Sequence, residues 1–169
     1  MKKFLLAVMA VLATAPAFAA KKHDNSPKYW VEDDDQKVWT EESYTLPGYP
    51  STALWRPVAV GGSYTNKLFV DETTLGVGSD AALRMITRVV SPSGVENLAV
   101  EGLNCKLKTY RTYAFGDAAG KKWMASFNED WRAIAYDDKV RRALFAAFCD
   151  EYMPPSGREQ AVKLLRGAN

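Results

Sequence analysis

From Leu54 to Gly116 the chain alternates short apolar runs with turn residues. The runs LWRPVAV (54–60), KLFVDETTL (67–75), LRMITRVV (83–90), VENLAVEGL (95–103) and KTYRTYAFG (108–116) are rich in β-branched and aromatic residues, and GGS, GVGSD, SPSG and NCK separate them. Runs of this length with this punctuation predict strands. No helical period intervenes, so successive strands are expected to pair antiparallel. Pro57 lacks a backbone donor, which makes the run at 54–60 a sheet edge or only half a strand.

The stretch LRMITRVVSPSGVENLAVEGLNC, 83–105, sets Arg84, Arg88 and Glu101 among valines and leucines. A two- or four-residue loop around Ser91–Gly94 places Leu83, Met85, Thr87 and Val89 opposite Gly102, Val100, Leu98 and Glu96. The other face then pairs Arg84 with Glu101, Ile86 with Ala99 and Arg88 with Asn97. This register separates an apolar face from a polar one and matches opposite charges, so it is the one expected. A three-residue loop with Gly94 in a bulge is the alternative; it sets Met85 against Glu101 and mixes the faces.

After Gly120 the period turns helical. Ser126 and Glu129 have the spacing of a capping box ahead of a short turn through Trp131 and Ile134. In DDKVRRALFAAFCDEYM, 137–153, acids open the run at the positive end of a helix dipole. Apolar residues recur there at Val140, Leu144 and Phe148, with Phe145, Cys149 and Tyr152 beside them. Pro154 and Pro155 end it. Ser156 and Glu159 cap a last helix bearing Val162, Leu164 and Leu165, with Gly167 just past its end. The predicted fold class is α+β: a single antiparallel β-sheet followed by C-terminal helices, in one domain over 54–169.

The segment before the sheet is of another kind. In MKKFLLAVMAVLATAPAFAA two lysines precede an apolar run and then small residues, the order of a secretory signal peptide over 1–19. The run is too short to span a bilayer, so no transmembrane segment is expected after cleavage. Removing 19 residues from 169 leaves 150, the size of one domain. Residues 20–53 are expected to form an N-terminal arm, partly disordered, because Pro27, Pro47 and Pro50 break any long element. Its aromatics from Trp39 onward should strap onto the body, since large rings are costly to leave in water.

The leader also accounts for the basic balance. The chain has 22 Lys plus Arg against 20 Asp plus Glu, and removing Lys2 and Lys3 makes the two equal. A near-neutral chain of mixed signs gives no electrostatic case for nucleic acid or for a basic membrane-binding patch. Cys105 and Cys149 are the only cysteines, both in the exported part. In an oxidising compartment they are expected to form one disulfide closing about 45 residues, on the order of 4 kcal/mol of stabilisation by the chain-entropy estimate. A zinc site would need further ligands, and no histidine lies near them.

Little catalytic chemistry is encoded. The single histidine, His23, lies in the arm, which argues against a Ser-His-Asp or Cys-His nucleophile. LGVGSDA, with Gly76 and Gly78, lacks the third glycine and the Lys-Ser/Thr ending of a phosphate loop. EDDD at 32–35 lacks the alternating ligands of a calcium loop. The remaining candidates are Asp71, Asp80 and Glu101, near strand ends or turns, with Arg84 able to orient one of them. These four residues are the candidate ligand-binding set; none is assigned as catalytic, and no metal or cofactor is expected. Tyr110, Tyr113, Phe115, Trp123 and Trp131 are read as sheet-covering aromatics before a groove.

An ordered set of residues carries a family resemblance: Asp71, Leu75, Gly78, Asp80 and Arg84, then Ser93-Gly94, Asn97, Glu101-Gly102 and Cys105, then Tyr113-Ala114, Gly116, Trp123, Trp131 and Cys149. In these the chain resembles the cryptic neisserial protein-like family of exported bacterial proteins. The resemblance implies an envelope protein and lends no catalytic residue, because the family carries no assigned activity. Where the family favours Asp-Gly-Val-Val-Arg-Tyr, this chain reads Asp80-Ala81-Ala82-Leu83-Arg84-Met85. The expected function is a non-enzymatic binding or structural module of the cell envelope, periplasmic or secreted, whose partner is an envelope protein, glycan or small molecule. The alternatives are a carboxylate-based hydrolase acting on glycan or peptide, and a surface adhesin.

Overall fold

A computed structural model describes residues 38–168. The signal at 1–19, the arm as far as residue 37, His23 and the acidic run 32–35 lie outside the described residues. The elements in chain order begin β1 (Trp55–Val58), β2 (Lys67–Asp71), β3 (Gly76–Val77), β4 (Leu83–Val90) and β5 (Glu96–Asn104). They continue with β6 (Thr109–Asp117), β7 (Lys122–Ala125), β8 (Arg132–Ala133), α1 (Lys139–Phe148) and α2 (Arg158–Arg166). All strands join one antiparallel sheet of order β1-β2-β4-β5-β6-β7, with β3 also on β4 and β8 also on β6. The α+β architecture is therefore as the pattern predicts, with Pro57 on edge strand β1.

Both faces of the sheet are covered. Leu83, Met85, Val89 and Leu103 point toward the helices and pack with Leu144, Phe148, Val162 and Leu165 in the main core. Ile86, Val100 and Ala114 point the other way, under Tyr44, Trp55, Leu98, Tyr113 and Trp123. Residues 38–50 have no helix or strand and cross this second face as a strap. The ring pairs Tyr44–Tyr113 and Tyr49–Trp123, with centroids 4.8 and 5.0 Å apart, fasten it. Trp123 Nε1 adds a hydrogen bond of 2.8 Å to the Pro47 carbonyl.

The β4–β5 register corrects the sequence reading. Arg84 lies opposite Gly102, Met85 opposite Glu101 and Ile86 opposite Val100. The turn decides it: Ser91 N–H donates to Val95 O and Gly94 N–H to Ser91 O, each at 2.9 Å, around a three-residue loop with Gly94 at φ +85°. Sorting polar from apolar residues between the faces carries little weight when the strap buries the face expected to be wet. A second irregularity follows in β5–β6, where Val100 pairs with Ala114 but Glu101 with Thr112, leaving Tyr113 as an extra residue in a bulge.

The helices also depart from expectation in detail. No helical turn forms over 126–134; Ser126 Oγ instead accepts from Asn128 N–H at 3.3 Å, and β8 follows. Helix α1 begins after Asp138, whose Oδ1 accepts from Arg141 N–H, and ends at Cys149, well before Pro154. A tight turn over 150–153 with Glu151 and Tyr152 at positive φ stops it. Gly157, not Ser156, precedes α2, and Gln160 Oε1 accepts the Ser156 N–H at 2.7 Å.

A disulfide and two ion pairs are among the ties that hold the helices to the sheet. The predicted disulfide joins Cys105, just past β5, to Cys149 at the end of α1, with Cα atoms 5.4 Å apart. Buried Glu101 accepts from Arg141 of α1, and Glu72 accepts from Arg166 of α2 and from Arg56 of β1.

Candidate functional site

The densest group of charged side chains lies beneath the strap, around Arg84. β4 sends Arg84 to the strap face, and Gly102 opposite leaves room for Trp131 and Tyr113. A Cβ at Gly102 would meet Trp131 at 2.8 Å and the Tyr113 hydroxyl at 2.9 Å. The loop between β3 and β4 brings Asp80 round to make two parallel bonds to the guanidinium, Nη1–Oδ1 at 3.0 Å and Nη2–Oδ2 at 2.7 Å. This is the paired-fork geometry of a strong ion pair. The two side chains are 6% and 4% exposed.

The same loop explains two local residue choices. A Cβ at Gly78 would fall 2.5 Å from both Arg84 Nη1 and Asp80 Oδ1, so no larger residue fits there without movement. Ala81 adopts φ +62°, a left-handed conformation that glycine takes without strain.

The strap completes the group from above. Glu41 accepts from the Tyr113 hydroxyl at 2.6 Å and from Arg111 Nη1 at 2.5 Å, and lies 3.7 Å from Arg84 Nη2. Arg84 Nε donates to the Tyr113 oxygen at 3.1 Å. The Glu42 N–H donates to Asp80 Oδ2 at 2.9 Å while its carboxylate accepts from Ser79 N–H at 2.8 Å. Trp39 Nε1 donates to the Asp80 carbonyl at 2.8 Å, and its ring meets Trp131 edge-on, centroids 5.1 Å apart. A shallow concavity of about 230 Å³ remains between Glu41, Tyr44, Arg111 and Tyr113.

Protonation follows from these contacts. Burial alone would raise the Asp80 carboxyl, but Arg84 and the N–H groups of Glu42 and Ala82 outweigh it and hold it below the usual carboxylate range. Burial opposes ionisation of Glu41 too, and the Tyr113 hydroxyl and Arg111 overcome it, so its pKa is also lowered. Burial, then the bond to Glu41, pushes the Tyr113 phenol up. At neutral pH Asp80 and Glu41 are therefore carboxylates, Arg84 a guanidinium and Tyr113 a neutral phenol.

Of the four candidate residues, the fold brings together only Asp80 and Arg84. Glu101 does not pair with Arg84. It faces the helices, where Arg141 Nε donates to Oε1 at 3.0 Å and Thr87 Oγ1 to Oε2 at 3.1 Å. Asp71 closes the turn after β2, accepting from the N–H groups of Leu54 and Thr73 at 2.9 and 3.0 Å. Trp39, Glu41, Glu42 and Arg111 were not among the sequence candidates. The clue to the first three was the acidic pair in WTEESY, set between aromatics that had to cover the sheet. Among the described residues no group of three or more His, Cys, Asp or Glu is placed to hold a metal ion.

Gly78, Asp80, Arg84, Gly102, Tyr113 and Trp131, scattered through the residues that carry the family resemblance, thus meet in one place. A model of the CNP1-like family matches residues 34–166. The chain belongs to the CNP1-like family. That span takes in the strap residues Trp39, Glu41 and Glu42 as well as the sheet and both helices. Cryptic neisserial protein 1 of Neisseria gonorrhoeae (strain ATCC 700825 / FA 1090) is 24% identical over 177 residues, covering 91% of this chain and 87% of that protein. No solved structure matches the chain. Among the described residues no helix is long and apolar enough to cross a membrane.

Proposed function

We propose that this member of the CNP1-like family is an exported cell-envelope protein, acting in the periplasm, that binds another envelope molecule and does not transform it. The observation that carries the reading is the Cys105–Cys149 bridge at the junction of sheet and α1. Structural disulfides persist in oxidising compartments and are rare in the cytosol, which agrees with the signal-like order of the first nineteen residues.

Two features favour binding over a carboxylate hydrolase. Asp71, Asp80 and Glu101 serve a turn, the Arg84 group and α1 respectively, so no two of them converge on a common space. General acid–base catalysis also needs a group that titrates near the working pH. Asp80 and Glu41 are displaced downward and Tyr113 upward, away from it.

Cell fractionation with thiol trapping tests the reading. The mature chain should leave the cell on osmotic shock and resist alkylation until reduced. Two alkylatable thiols, or a chain retained in the cytosol with its leader, would overturn export. Turnover of a glycan or peptide by the purified chain, lost on Glu41→Gln, would replace binding with catalysis.

A further inference from the structure

A second concavity, also of about 230 Å³, lies on the strap face at the far end of the strap, bounded by Tyr49, Trp55, Arg88, Glu96, Gly116 and Lys121. Gly116 forms its floor, where a Cβ would collide with Leu98 Cβ at 2.8 Å and touch Tyr49 at 3.4 Å.

Arg88 is held here in an unusual way. Its guanidinium lies 4.6 Å from the Trp55 ring centroid and 4.8 Å from that of Phe69. Rings engage the faces of a guanidinium, while its N–H donors point outward along the edge. Those donors are poorly used. The nearest carboxylate is Glu96, 3.4 Å from Nη1 and 48% exposed, and Nε is buried with no acceptor among the described residues. Arg56, Arg84, Arg111, Arg141 and Arg166 each have a carboxylate at 2.7 Å or less. Across the cavity, Lys121 has no ion pair among the described residues, and its backbone is fixed at φ +47° by a turn in which Asp117 Oδ1 accepts from Ala119 and Gly120.

We propose that this cavity binds one acidic sugar unit, its carboxylate taken by the Arg88 Nη groups and Lys121 and its ring lying against Tyr49 and Trp55. Two cations and one loosely held carboxylate leave the cavity net positive, so it favours an anion that takes the place of Glu96. An inorganic anion would leave the aromatic wall unused, and a neutral sugar would leave the cations unanswered. The volume is below the ~300–1,000 Å³ usual for drug-sized ligands, which limits the occupant to a single ring. The assignment goes beyond the reading above and requires neither export nor the Arg84 group.

Titration of the purified chain with sodium glucuronate, followed by amide and indole NMR, tests it, with glucose and inorganic phosphate as comparison ligands. Glucuronate should give saturable shifts at Leu98, Gly116, Lys121 and the Trp55 indole, leaving the Trp39 indole still. Arg88→Gln and Lys121→Gly should each weaken binding by about tenfold or more, the scale of a lost charged hydrogen bond. Lys121→Gly also relieves the positive φ, so it keeps the test open if Arg88→Gln fails to fold. Absence of saturation, an equal response to glucose, phosphate binding as tightly as glucuronate, or indifference to Lys121→Gly would each overturn the assignment.

Discussion

Arg84 and Glu101 stand on neighbouring strands, yet their side chains leave the sheet on opposite faces, one to Asp80 and the other to Arg141. Reversing either charge strands its buried partner, a loss of roughly 3–5 kcal/mol. The double exchange Arg84→Glu with Glu101→Arg should recover nothing. Denaturant unfolding should give a sum of the single losses to within about 0.5 kcal/mol. Recovery of most of the loss would mean that the two side chains touch.

The Glu101–Arg141 pair ties α1 to the centre of the sheet. Arg141→Ala should destabilise by roughly 3–5 kcal/mol, because it leaves a buried carboxylate with only hydroxyl donors. Glu101→Met combined with Arg141→Leu should restore most of that, since an apolar pair of similar volume has no charge to desolvate. Thermal unfolding of the two variants side by side measures the difference.

Ala81 at φ +62° carries a strain that glycine lacks. Left-handed backbone costs a non-glycine residue about 1–2 kcal/mol, and the extra freedom of glycine in the unfolded chain returns part of the gain. Ala81→Gly should therefore stabilise the fold by up to about 1 kcal/mol, read as a higher unfolding midpoint with an unchanged denaturant slope.

Glu72 gives the fold an acid limit. Hydrogen bonds from Arg166 and Arg56 lower its pKa from 4.5 to about 2. A depressed carboxyl contributes stability that is complete above its unfolded value and fades as pH falls toward its folded one. The contribution should be lost between about pH 4.5 and 2. A pH series of unfolding midpoints should fall across that window in the native chain and be flatter in Glu72→Gln. Identical slopes would refute the assignment.

Replacing both cysteines by alanine opens a loop with a sequence separation of 44. The chain-entropy estimate puts the cost on the order of 4 kcal/mol. Hydrogen exchange should then quicken in α1 before β4, since Arg141 and core packing alone would retain the helix.

The antiparallel sheet, the edge position of Pro57 and the two C-terminal helices were legible in the apolar runs and turn residues, and the cysteine bridge in two lone cysteines behind a signal-like leader. The register was not. It depended on a turn with Gly94 at positive φ, and face sorting misled because the strap buries Arg84 and Ile86 on the side that looked polar. Strands β3 and β8, of two residues each, are too short to leave a period, and β7 lies where the pattern was read as turning helical. Glu41 and Glu42 of the candidate site came from the strap and went unassigned, because nothing in the sequence sets Arg84 and Arg111 beneath them.

The bulge at Tyr113 makes strand length itself a determinant of this fold. Thr112 keeps company with Glu101 below the sheet, while Arg111, Tyr113 and Ala114 all serve the strap above, so the alternation of β6 is reset there. Deleting Tyr113 would straighten the ladder and leave Ala114, Phe115 and Gly116 on their present faces, but it would remove the hydroxyl that Glu41 and Arg84 share. Loss of that one codon would spare the register and cost the strap an anchor.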